Sequence, residues 1–272
     1  MKARRTSASL IALASVGLMV VYVALAALAP AGALRDETMS ILYLAFPAGA
    51  MVCVAVAVRR ASAQGRTTIR LLFIAVVLNL FGEAYWGFYQ TFISAQGPPV
   101  SVADVGFLGF YLTMLVFVAL VLRGRLAPLP VVARAKASLD TLAAMTIAGT
   151  SIVAILLATT LAPGSGARVS SETWAYSTYA LLDVSLLVGV LAVAVTPRRF
   201  RWRSWEALMA AALVLFAGGD LVVNQLIRGG AYVLGDMTSA LTDLTWMAGN
   251  ALIGVGALMF RDDMGVSEEL KA

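Results

Sequence analysis

Leu71–Phe92 reads LLFIAVVLNLFGEAYWGFYQTF, a stretch long enough to cross a bilayer core, with Glu83 near its middle. A helix needs about 20 apolar residues to span, and a carboxyl at its centre costs about 2.5–3.5 kcal/mol on insertion scales. Glu83 is therefore expected to face other helices and not lipid. Ala207–Ile227 repeats the device, with Phe81-Gly82-Glu83 matched by Gly218-Gly219-Asp220. Each is followed by an aspartate opening the next apolar segment, 21 residues on at Asp104 in VADVGFLGFY and 23 on at Asp243 in LTDLTWMAGN. Two copies of a four-helix unit are implied.

Composition narrows the class. Of the 272 residues, 61% are hydrophobic and 13% charged, outside the range of soluble domains. The net charge of +5 would suit nucleic acid, but the arginines stand at the ends of apolar segments and not on a basic surface interleaved with aromatics. They read as topology signals, with the lipid bilayer as partner and no nucleic acid. The richness in Arg and Ala fits a GC-rich bacterial genome. There is no histidine, so histidine-ligated haem or metal and His-based acid–base chemistry are excluded. Cys53 is the only cysteine, which excludes an internal disulfide and any multi-cysteine metal site. Lys2, Lys136 and Lys271 all lie outside the apolar spans, so a retinal Schiff base is excluded too. No cofactor and no metal site are expected, and a cation, if bound, would meet oxygens.

Spanning segments can be drawn at 8–29, 39–58, 70–94, 103–122, 138–162, 174–196, 204–228 and 239–260. The expected fold is thus all-α and polytopic, eight transmembrane helices in two parallel four-helix repeats, residues 1–130 and 131–272. The basic residues give an independent check: with eight spans, 17 of the 20 fall on one side and only Arg35, Arg168 and Arg228 on the other. By the positive-inside rule both termini are cytoplasmic, in a bacterial plasma membrane. The first segment, with Ala29–Ala33 behind it, has an alternative as a cleavable signal peptide, but its length and likeness to the fifth segment favour a retained helix. Turn formers at 96–99 and 163–166 mark short outer loops. Arg123–Ala137, with Pro128 and Pro130, is the longest inner connection and the joint between halves. The tail after Arg261 is too short for an enzyme domain.

Helical spacing decides which polar residues can meet. Asn79, Glu83, Trp86 and Gln90 share one face of the third segment, and Asp220, Asn224 and Arg228 one face of the seventh. Asp104, Phe107 and Tyr111 do so on the fourth, Asp243, Trp246 and Asn250 on the eighth, and the sixth adds Tyr176, Tyr179 and Asp183. These residues predict an acidic, aromatic-lined cavity in the outer half. Burial disfavours a carboxylate's charged form, so Glu83, with Asp183 or Asp220, is expected to be protonated or hydrogen-bonded when the site is empty. The plainer reading is interhelical glue, at about 0.6 kcal/mol per contact. Asp104 and Asp243 have a further one, as acids capping the helices they open. Asp140 and Glu206 read as helix-start acids, and Gly249, Gly254 and Gly256 as sites of close helix approach.

FGEAYW followed by PPVSVADVGFLGFY, then SLDTLAAM, YALLDVSLL, GGD and TDLTW resembles the multi-span N-terminal sensory modules of actinobacterial signalling proteins. Such modules precede diguanylate cyclase or phosphodiesterase domains and sometimes histidine kinases. The resemblance implies acidic positions at Glu83, Asp104, Asp140, Asp183 and Asp220 and a cytoplasmic signalling partner. The chain departs from the pattern in ending at Ala272 without an effector domain.

The expected function is an integral membrane sensor or ligand-binding module without enzymatic activity. It would take a small ligand, proton or cation from outside at Glu83, Trp86, Asp104, Tyr111, Asp183, Asp220, Asn224, Asp243 and Trp246, in a monomer or homodimer. One alternative is a proton- or cation-coupled solute transporter using the same carboxylates as relays. Another is an intramembrane hydrolase with paired carboxylates, since Gly219-Asp220 has a faint likeness to the eight-span lysoplasmalogenases.

Overall fold

The computed structural model describes residues 2–63, 65–93, 100–127, 129–160, 171–195, 204–228 and 236–260. The expected turns at 96–99 and 163–166 and the tail after residue 260 lie outside the described residues, as do the side chains of Tyr176, Asn224 and Arg228. The described residues form eight helices and no strand: α1 Lys2–Leu28, α2 Ala33–Arg60, α3 Arg66–Phe92, α4 Ala103–Leu126, α5 Val131–Thr160, α6 Ser171–Val195, α7 Ser204–Arg228 and α8 Met237–Met259. Only helix satisfies every backbone group within one segment, which lipid requires.

Among the described residues six of the eight, α1 to α4 with α6 and α7, are long and apolar enough to cross a membrane. The eighth falls short for a local reason. It buries Ser239, Thr242, Asp243 and Asn250, which lower its mean hydropathy, yet it is wedged among α7, α2 and α1. A helix shielded from lipid on three sides need not look apolar.

Six helices close a ring: α2 packs on α3, α3 on α4, α4 on α6, α6 on α7, α7 on α8, and α8 returns to α2. α1 leans on α8 and α2, and α5 on α6. Ile69, Leu72, Val76, Met114, Leu213 and Ile253 belong to the apolar core inside the ring. Leu13, Val20, Val132, Leu142 and Ile147 on α1 and α5 are exposed. An apolar surface of that extent is unusual in water and ordinary in lipid.

Helix ends differ from the expected spans. α4 runs to Leu126 and α5 begins at Val131, so the joint expected over Arg123–Ala137 shrinks to residues 127–130. The hydropathy window ends where the apolar residues end, whereas the helix continues into the polar interface. Asp140 then falls inside α5, where it is exposed and paired with Lys136 one turn back at 2.9 Å; it is not a helix-start acid. The start of α8 likewise moves outward. Asp236 is its N-cap and accepts the Ser239 N–H at 2.6 Å, which leaves Asp243 free of any capping duty.

Candidate functional site

Close approach of two helix pairs positions the acids. On α4, a Cβ at Gly106 would stand 2.6 Å from the Gly82 nitrogen of α3. The backbones therefore touch, which only glycine allows, and Glu83 is held beside α4. On α7, a Cβ at Gly219 would run into Thr245 and Trp246 of α8. That contact sets the Trp246 indole against the next residue, and Trp246 Nε1 donates to Asp220 Oδ1 at 2.8 Å.

Five carboxyls then find tyrosines from other helices. Tyr111 of α4 reaches both Asp183 Oδ1 of α6, at 2.6 Å, and Asp220 Oδ2 of α7. Tyr179 of α6 donates to Asp104 Oδ1 of α4. Tyr43 of α2 donates to Glu83 Oε1 of α3 at 3.0 Å, and Tyr22 of α1 to Asp243 Oδ2 of α8 at 2.6 Å. Tyr111 and Tyr179 pack ring against ring with centroids 5.9 Å apart, which joins the Asp104 contact to the Asp183 and Asp220 contacts. Glu83 lies within electrostatic range of Asp220 and Asp243. Asp220, with partners on α4 and α8 and acidic neighbours on α3 and α6, is the hub.

Of the residues singled out from sequence, Asp104, Tyr111, Asp183, Asp220 and Trp246 are joined by hydrogen bonds and ring contacts, with Glu83 and Asp243 alongside. Trp86 is half-buried one turn beyond Glu83. Asp104 does two things, since it also accepts the Ser101 backbone N–H at 2.5 Å in the manner of a first-turn acid. Asn79 and Asn250 are buried and meet at 3.3 Å, and Asn250 also donates to the Trp246 carbonyl at 3.0 Å. Among the described residues, no group of three or more His, Cys, Asp or Glu is arranged to hold a metal ion.

Sequence reading missed Tyr22 and Tyr43, because a tyrosine in a membrane helix carries no signal that separates an acid's partner from an interface anchor. It also missed a buried ion pair, Arg125 of α4 with Glu206 of α7. Arg125 Nε donates to Glu206 Oε1 at 3.1 Å, Nη2 reaches Oε2, and Nη1 donates to the Val193 carbonyl of α6 at 3.3 Å. Glu206 does stand in the first turn of α7, but Arg125 counted only as a topology charge, and nothing local links residues 81 apart. Compared with protein-family models, with curated proteins and with solved structures, the chain matches none.

Proposed function

We propose that this chain is an integral membrane sensory or ligand-binding module of a bacterial plasma membrane. All eight helices span, as two parallel four-helix repeats, with both termini cytoplasmic. Support for the repeat comes from matched packing: α3 on α4 corresponds to α7 on α8, and α2 on α8 corresponds to α6 on α4. Support for the orientation comes from 17 of 20 basic residues falling on one side. A small ligand, proton or cation enters from the outer side and engages Asp220, Asp183, Glu83 and their aromatic neighbours. Engagement changes the packing of α4, α6 and α7, and a cytoplasmic partner reads the change. The chain contributes no catalytic step of its own.

One observation carries the reading: a single phenol, Tyr111, ties an acid on α6 to an acid on α7. A ligand that competes for either acid loosens three helices at once. It shifts their equilibrium only as far as it prefers one packing to the other.

Proton-coupled transport is the second reading, and the same phenol favours it. One hydroxyl hydrogen can serve one carboxylate; the second contact needs a proton on a carboxyl, donated back to the phenol oxygen. Tyr111, Asp183 and Asp220 thus form a unit that gains or loses a proton together with its geometry.

Thermal unfolding of the purified protein, scanned across pH and a panel of sodium, primary amines and quaternary ammonium ions, tests the site. At least one of these probes is expected to shift the midpoint, and Glu83→Gln with Asp220→Asn to abolish that shift. A shift that survives both substitutions places the binding elsewhere.

A further inference from the structure

α4 and α7 run antiparallel and face each other at three levels seven residues apart, with the Phe110 ring against Phe216 between the first two, centroids 5.2 Å apart. Tyr111 meets Asp220, Val118 and Leu213 line one cavity, and Arg125 meets Glu206. Each step is seven residues forward on α4 and seven back on α7, so the three levels share one face of each helix and lie about 10 Å apart. Among the described residues these two helices are not packed backbone to backbone as their ring neighbours are. They are bridged by side chains. Tyr and Arg are long enough to cross the gap; Val and Leu are not.

The shortfall leaves a cavity of about 30 Å³, lined also by Val121, Val190, Trp205 and Glu206. That is room for one or two waters. Its walls are almost wholly apolar, which disfavours their entry. Trp205, one of the lining residues, is only 2% exposed, and among the described residues its Nε1 has no hydrogen-bond partner.

We propose that the α4–α7 seam is a transmembrane proton path, with the Val118–Leu213 level as its hydrophobic gate. A proton leaves a carboxyl O–H of the Tyr111–Asp183–Asp220 group, passes along water admitted between Val118 and Leu213, and binds the Glu206 carboxylate. Arg125 gives up its ion pair with Glu206 as that charge is neutralised and keeps the Val193 carbonyl. Release to the cytoplasm restores the carboxylate and the pair. Dewetted apolar constrictions between polar stations gate channels in the same way. The path rests on the reading of the acid cluster as open to the outer side.

Liposomes holding the reconstituted protein, a trapped pH-sensitive dye and a potassium–valinomycin potential read the flux. Val118→Thr keeps the shape of the side chain, adds a hydroxyl at the gate and leaves both polar levels intact; it is expected to raise proton flux several-fold over wild type. Val118→Ile fills the cavity and is expected to lower flux several-fold from the Val118→Thr level, to wild type or below. Equal flux for all three proteins, or none above protein-free vesicles for wild type and Val118→Thr, overturns the path. If the flux order holds while the probe-induced thermal shift survives in Glu83→Gln with Asp220→Asn, the path stands and the outer binding reading fails. If the shift is lost in that variant and flux is flat, the path alone fails.

Discussion

Arg125 and Glu206 illustrate what a buried charge demands. Both side chains are almost fully buried, and desolvating them is offset only because the guanidinium makes a two-point contact and spends a further donor on the Val193 carbonyl. Removing one partner strands the other. Glu206→Ala is therefore expected to lower stability by about 3–5 kcal/mol, and Arg125→Met with Glu206→Leu to lie much closer to wild type. Denaturant unfolding in mixed micelles measures the order; a double variant worse than the single contradicts a paired origin. At this scale the acids were readable from sequence because charge in an apolar run is conspicuous. Glu83 and Asp220 stood out for that reason. Tyr22 and Tyr43 did not, and the Arg125–Glu206 pair depends on a fold that sequence spacing within one helix does not encode.

Between elements, the decisive quantity is how near two backbones come. Gly106 and Gly218 are both glycines in apolar helices, and sequence alone does not distinguish them. In the fold, a Cβ at Gly106 meets backbone atoms of Gly82 and Leu78 at 2.6 Å, whereas one at Gly218 meets nothing within 4 Å. Backbone cannot step aside as a side-chain tip can. Gly106→Ala is expected to destabilise by about 1–3 kcal/mol, as overpacking does. Gly218→Ala is expected to be neutral or to stabilise by up to about 1 kcal/mol, through helix propensity. Matched unfolding curves decide it, and equal effects of the two contradict the α3–α4 contact. Helix existence and order were legible at this scale from segment length and the pattern of basic ends. Helix ends were not, since hydropathy reports where lipid ends and not where the helix does. Asp140 and Asp243 were misplaced for that reason.

Over the whole molecule, the ring α2–α3–α4–α6–α7–α8 brings helices from both halves of the chain into one enclosure. α4 comes from residues 1–130 and α6 and α7 from 131–272, so the Tyr111 cluster is a joint between the two halves of the chain. Acids in apolar segments of both halves made such a meeting foreseeable, and Asp220 takes part in it, whereas Glu83 pairs with Tyr43. That Tyr111 would be the phenol joining Asp183 to Asp220 was not foreseeable, because it was one of several tyrosines on inward faces. A double-mutant cycle of Tyr111→Phe and Asp220→Asn, followed by reversible unfolding in mixed micelles, tests this joint most directly. Coupling of about 0.5–3 kcal/mol between the two substitutions is the expected result, as for partners in one hydrogen-bond network. Additive effects, with coupling indistinguishable from zero, would mean that the phenol and the carboxyl do not meet and that the acids share no site.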